Sequence, residues 1–330
     1  MFNFNQYNLI NHLLAYGPTS RKKLAKVLNI STAAVTMSVN YLIEDGIVCE
    51  TKENTTGRVG RKEILIDINP NYALALGIDV KDNFIRFSSC DLRGNIKEVK
   101  VFFDVDTVVE YVSEYIKGKN ILGMTVLIKA FIDKENNEAF DKSIFNKLEN
   151  LDVKIDYINN IEALSILHKY YFYDDKDYLL VKYGDAVGSA ICVNNHMVNQ
   201  DNISNEELGN VLIYDHGYYK LNDLVSYKSF NDDVNDDNII EYLLENPDNL
   251  NILKEYLSLS IVNANVLLSL DKVILAGKIF VNDSIFNKFE KGIKELNPNI
   301  NVVKIDKYED KRMMVGSVVT IYNQLMTALD

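Results

Sequence analysis

Apolar positions near the start of the chain recur at helical spacing. Leu9, Ile10, Leu13 and Leu14 predict a helix over residues 5–16, which Gly17-Pro18 ends. Thr19 or Ser20 caps a second helix to about Leu28, with Leu24, Val27 and Leu28 on its inner face. Asn29-Ile30 makes a tight turn. Ser31 then caps a third helix to about Asp45, with Val35, Val39 and Leu42 inward and Gly46 as its stop. Beyond it, the apolar runs at residues 47–50 and 64–68 flank a polar tip over residues 51–60, the pattern of a β-hairpin.

From Tyr72 the periodicity changes. Residues 72–80, 84–92 and 96–103 read as three strands joined by tight turns, followed by a helix at about 106–117 and a strand at 121–128. Further strands are expected at 153–158, 178–183, 187–193, 272–276 and 301–305. Helices are expected near 160–172, 237–246, 249–270, 281–295 and 314–326. Alternating strands and helices imply a mixed sheet covered by helices. The pattern restarts near Tyr178, which suggests two similar lobes. Asp232–Asp237 reads as an acidic surface loop.

The first 70 residues therefore form one expected domain and residues 71–330 another, a division that a length of 330 residues readily accommodates. Apolar residues at 47% and charged residues at 25% exclude a disordered or collagen-like chain. No apolar run approaches the roughly 18 residues of a membrane span. The first ten residues lack the basic and apolar regions of a signal peptide. Cys49, Cys90 and Cys192 are isolated, which argues against a disulfide framework or a clustered metal site. A cytoplasmic protein without a membrane partner is expected.

The net charge of -12 is unevenly spread: residues 1–62 carry eight Lys/Arg against four Asp/Glu, leaving -16 on the remainder. A basic head on an acidic body points to an anionic partner for the head alone. Two short helices joined by a tight turn form a helix-turn-helix, whose second helix enters the DNA major groove. Its outward residues Ser31, Thr32, Ala33, Ala34, Thr36, Met37 and Asn40 are the candidate readers. Thr36 and Asn40 exchange hydrogen bonds with base edges, and Ala methyls meet thymine methyls. Arg21, Lys22 and Lys23 open the preceding helix, where phosphate contacts are expected. The hairpin becomes a wing, and in its tip Arg58, Arg61 and Lys62 stand in Gly57-Arg58-Val59-Gly60-Arg61-Lys62. Arg flanked by Gly suits a narrow minor groove, because Gly adds no side chain to obstruct it.

The chain resembles the ROK family, which groups sugar-responsive repressors and sugar kinases. The resemblance rests on the order and spacing of several motifs: the winged head, then Gly60-Arg61-Lys62, Leu76-Gly77-Ile78-Asp79 and Asp91-Leu92-Arg93-Gly94-Asn95-Ile96. These are followed by Ile158-Asn159-Asn160-Ile161-Glu162-Ala163-Leu164, Glu207-Leu208-Gly209-Asn210 and Leu275-Ala276-Gly277. The resemblance implies an all-α winged helix-turn-helix head followed by an α/β actin-like body, two ribonuclease-H-like lobes with sugar and ATP between them.

It also implies that catalysis is lost. A sugar kinase needs a carboxylate to take the proton of the attacking hydroxyl. The family places it in an Asn-Asp pair, here Asn159-Asn160, and an amide is no base. The family's Gly-Thr-Gly-x-Gly phosphate loop has become Gly184-Asp185-Ala186-Val187-Gly188. A carboxylate 4 Å from a phosphate charge costs roughly 1–4 kcal/mol at effective dielectric constants of 80 to 20. Asp79-Val80-Lys81-Asp82 and Gly277-Lys278 depart from the remaining ATP motifs. The family's zinc ligands are absent too: Asn210 stands at the His position, residues 211–230 hold no Cys, and His216 is a lone histidine. No enzyme, cofactor or metal is expected. Asn159, Asn160, Glu207 and Asn210 remain able to bind hydroxyls of a sugar-like effector. A repressor that acts as a homodimer or dimer of dimers is the first expectation, since one helix-turn-helix covers a half-site. A ligand-free interaction platform and an active sugar kinase are its rivals.

Overall fold

Three helices and a small sheet build the head. The computed structural model describes residues 2–52, 63–81, 84–128, 146–148, 150–172, 174–194, 196–198, 208–305 and 314–326. Helix α1 (Phe4–Tyr16) starts with a reciprocal cap, Asn3 accepting from Gln6 N and Gln6 accepting from Asn3 N. After it come β1 (Thr19–Ser20), α2 (Arg21–Val27) and α3 (Thr32–Glu44), and then the hairpin strands β2 (Val48–Lys52) and β3 (Ile64–Ile68). Leu9, Ile10 and Leu13 of α1 close with Leu24, Val35, Val39, Leu42, Ile66 and Ile68 into a core. The sheet order is β1-β3-β2, antiparallel, with Thr19 opposite Ile66 and Val48 opposite Ile68. The two-residue strand β1 adds a sheet edge to a head read as helices and hairpin; two residues carry no periodicity. Val27 also departs from expectation. It is exposed, because α2 is only seven residues long and its last turn runs past the packed face that Leu24 and Ala25 fill.

The chain divides into two compact units, residues 1–173 with 311–330 and residues 174–310. The first unit takes in the head and a sheet of β4 (Leu74–Val80), β5 (Ile85–Asp91), β6 (Ile96–Phe102), β7 (Ile121–Ile128) and β8 (Ile155–Asn159). Its order is β6-β5-β4-β7-β8. The first three strands form an antiparallel meander, and β4, β7 and β8 run parallel. Helix α4 (Val105–Tyr115) lays Val108 and Val112 against Phe87, Met124 and Val126, and α5 (Asn160–Tyr171) follows β8.

The second unit repeats this topology. Strands β9 (Tyr178–Lys182), β10 (Gly188–Val193) and β11 (His196–Met197) form an antiparallel meander. A hairpin of β12 (Leu212–Tyr214) and β13 (Tyr218–Lys220), the short helices α6 (Leu221–Val225), α7 (Tyr227–Phe230) and α8 (Ile239–Glu245), and the long α9 (Pro247–Leu268) follow. Parallel strand β14 (Lys272–Ala276), helix α10 (Asp283–Leu296) and strand β15 (Asn301–Lys304) complete the sheet β11-β10-β9-β14-β15. Element for element this matches the first sheet, as the restart near Tyr178 implies. The hairpin and the short helices between 212 and 230 were not legible in the sequence, because segments of three to five residues are shorter than the periods that reveal them. Asp232, Asp233, Asp236 and Asp237 are exposed, as expected of a surface loop, although Val234 among them is buried.

The chain then returns to the first unit through α11 (Val315–Ile321) and a π-helical turn, Tyr322–Met326. Here Gly77 of β4 and Gly316 of α11 let two backbones touch. A Cβ at Gly77 would stand 2.3 Å from Ser317 N and 2.6 Å from the Gly316 carbonyl carbon. Thr320 Oγ1 donates to Leu76 O at 2.8 Å across the same crossing.

Candidate nucleic-acid interface and effector site

Ser31 begins α3, the candidate reading helix, by accepting from Ala34 N at 3.1 Å, which satisfies one of the free N–H groups of the first turn. The left-handed turn residue Asn29 (φ 53°) lets α3 start directly after α2. Ser31, Thr32, Ala33, Thr36, Met37 and Asn40 are exposed and Ala34 is half-buried, so the candidate readers share one solvent-facing side of α3. Met37 is 75% exposed, an apolar side chain with no place in the core of the head. Thr36 Oγ1 donates to Thr32 O at 2.8 Å, which leaves its lone pairs outward.

Lys22 and Lys23 are exposed, but Arg21 is not free. It forms an ion pair with Glu50 of β2 at 2.9 Å, and its other guanidinium nitrogen reaches Asn40 Oδ1 at 3.5 Å. Strands β2 and β3 hold the base of the wing in register from Val48–Ile68 to Lys52–Ile64. The tip residues Arg58, Arg61 and Lys62 lie outside the described residues.

Asn159 and Asn160 sit where β8 passes into α5. Parallel strands β4, β7 and β8 end together here: Asp79 pairs with Leu127, Leu127 with Ile158, and Ile128 with Asn159. The carboxyl ends of parallel strands are where open α/β sheets bind ligands. Asp79 and Ile158 are two strand spacings apart, about 10 Å. Asn159 is the cap of α5 and accepts from Ile161 N at 2.7 Å, so its carbonyl oxygen is engaged within its own helix. Its amide N–H groups and the side chain of Asn160, both residues half-buried, are what it offers a ligand.

Asp79 is surrounded by cations, with Lys81 Nζ at 2.9 Å and Arg86 Nη1 at 3.6 Å. In the resemblance, this aspartate opens a phosphate loop; here, ammonium and guanidinium groups of the same hairpin occupy its carboxylate. Neither cation stood out in the sequence as a partner of Asp79. The antiparallel β4–β5 register, which sets Asp79 opposite Arg86, brings them together.

In the second unit, the turn Tyr183–Val187 joins β9 to β10 and exposes Asp185. Gly277, at φ 127° after β14, lies against that turn: a Cβ there would be 2.2 Å from Tyr183 O. The two loops that resemble the phosphate and adenosine motifs are thus neighbours at the ends of parallel strands. Asn222 of α6, which sequence reasoning missed, accepts from Val187 N at 2.7 Å. A Cβ on Gly209 would be 2.3 Å from Asn222 Nδ2, so Asn222 braces the phosphate-loop turn against the 208–210 turn. Asn210 is half-buried in that turn, and Glu207 lies outside the described residues. Among the described residues no three His, Cys, Asp or Glu side chains gather to hold a metal ion, and no helix is long and apolar enough to cross a membrane. His216 is exposed at the left-handed tip of the β12–β13 hairpin.

No family model matches the chain. It is 22% identical over 273 residues to the xylose repressor of Staphylococcus xylosus, covering 71% of this chain and 68% of that repressor. Across the xylose repressors it matches, the aligned part spans 36% to 68% of their length. Its fold matches the crystal structure of a ROK family transcriptional regulator, a homolog of the E. coli MLC protein, over 98% of both chains at a TM-score of 0.75 and 15% identity. A ROK hexokinase from Thermus thermophilus matches 76% of this chain and 99% of its own length at a TM-score of 0.61 and 11% identity. The hexokinase leaves about a quarter of this chain unmatched, whereas the regulator accounts for nearly all of it. With a helical head on a body of two similar sheets, the chain is similar in sequence to xylose repressors and shares its fold, over nearly its whole length, with a ROK family transcriptional regulator.

Proposed function

We propose that the protein is a transcriptional repressor that reads DNA with α3 and its wing and senses a sugar-like effector through Asn159, Asn160, Glu207 and Asn210. The exposed, Ser31-capped side of α3 carries the DNA reading. Ser31, Thr32, Thr36 and Asn40 supply donors and acceptors, Ala33 and Met37 apolar contacts, and Lys22 and Lys23 phosphate contacts. The similarity to xylose repressors makes a pentose the first effector to try. One head covers one half-site, so the protein acts as a homodimer, or a dimer of dimers, on a roughly palindromic operator with half-sites about one helical turn apart.

Phosphoryl transfer is absent from this reading. Asn160 cannot take a proton, Asp79 is bound to Lys81 and Arg86, and Asp185 opposes phosphate. Selecting duplexes from a random DNA library with the full chain tests the DNA reading: a recurrent palindromic motif is expected, and a failure to enrich any motif overturns it. Titrating that complex with D-xylose and other common sugars tests the effector. An ATP-coupled assay on the same sugars tests catalysis, and turnover above background would refute its absence.

A further inference from the structure

The motif Asp91-Leu92-Arg93-Gly94-Asn95 is unused by the functional reading, yet it forms a dense polar cluster in the first unit. Asp91, 1% exposed, accepts from Arg93 N at 2.9 Å and Asn95 N at 3.0 Å, and its other oxygen pairs with Lys97 at 3.0 Å. Gly94 takes the left-handed φ of 70° that closes the turn. Held this way between β5 and β6, the turn aims one side chain into the head. Arg93 Nη1 donates to Leu13 O at 2.7 Å in the last turn of α1, and Nη2 forms an ion pair with Asp67 of β3. Both charged side chains are largely buried, at 20% and 18% exposure. A guanidinium suits this task, with five donors in a rigid fork that bridge two acceptors at once. Its positive charge also faces the negative end of the α1 dipole.

A neutral tie between head and body stands beside it among the described residues. Asn11 Nδ2 of α1 donates to Met326 O at 3.2 Å, and the two ends of the short linker are held by Asn69 Nδ2, which donates to Gly46 O within the head, and by Asn120 Nδ2, which donates to Tyr72 O within the body. Beneath the Arg93 turn lies α5, the helix that Asn159 and Asn160 begin. Its Tyr170 hydroxyl is 3.3 Å from where a Cβ on Gly94 would stand. Ten residues of helix, about 15 Å, separate Asn160 from Tyr170, which touches the turn that holds the head.

We propose that Arg93 is a positioning residue that pins the DNA-reading head to the first lobe in one orientation, so that displacement of α5 is delivered to α1 and β3. The inference rests on the DNA reading above, and its test separates the two. Nitroxide labels on Lys22→Cys in the head and Lys117→Cys in the lobe, in a Cys49→Ser background, report the head–lobe distance in the full chain. The parent should give one narrow distribution, Arg93→Met a broad one, Asp67→Asn an intermediate one, and Arg93→Lys a partial recovery. Affinity for the selected operator should fall in the same order, by about 5- to 150-fold for Arg93→Met, the usual range of coupling between sites. A merely structural role would lower the melting temperature of Arg93→Met and leave the distance and operator affinity of the folded protein unchanged. That outcome overturns the proposal. Should no operator be found, the DNA reading fails, and the distance measurement still decides whether Arg93 pins the head.

Discussion

Asn159 was singled out as an effector contact, but the structure gives it a second task that can be measured separately. Its side chain accepts from Ile161 N at 2.7 Å and caps α5. Replacing a capping Asn with Ala costs about 0.5–2 kcal/mol, typically near 1. In a cooperative unit of roughly 150–250 residues, 1 kcal/mol lowers the melting temperature by about 2–4 °C. Asn159→Ala should therefore destabilise the first unit by about that amount in scanning calorimetry, even without ligand. Asn159→Asp and Asn159→Ser, which keep a capping oxygen, should remain near the parent. Asp and Ser both lack the amide N–H groups, so a sugar that uses them should bind both variants less well. The reasoning fails if Asn159→Ala melts like the parent, or if Asp and Ser fall as far as Ala. In either case the hydrogen bond to Ile161 does not hold the helix.

Glu50→Gln should release Arg21 and remove a carboxylate beside the reading face, giving a few-fold tighter DNA binding and a salt slope steeper by up to about one charge; an unchanged slope places Arg21 away from phosphate. Arg58→Ala with Arg61→Ala should weaken binding and flatten the slope, read in the same titrations. Gly77→Ala should drive a methyl into the α11 backbone 2.3 Å away and cost roughly 1–3 kcal/mol or more, seen as a lower melting temperature of the first unit. Burial, then the charge of Lys23, lowers the pKa of His12 below its ordinary 6.5. The unfolded chain therefore takes up the proton first. Stability is complete above about pH 6.5 and declines as pH falls toward the folded value. His12→Gln should flatten that decline below about pH 6.5 in thermal melts, and an unchanged pH profile would exclude His12 as its source.

Much of this protein is legible in the chain itself. The caps Ser20 and Ser31, the breaks at Gly17 and Gly46, and the switch from helical to alternating periodicity act within a few residues, so they can be read in order. They define the head, the restart near Tyr178 and the exposed side of α3. The change of Asn-Asp to Asn159-Asn160 is equally local. Contacts made across strands and between distant segments are not. Only the β4–β5 register brings Arg86 to Asp79, only the return of α11 explains why residues 77 and 316 must be glycine, and only the folded first unit carries Arg93 to Leu13 and Asp67. Local propensity acts over a turn of helix or a pair of residues. A buried charge must find its partner wherever packing places one, and that placement follows from the closure of the whole sheet and core.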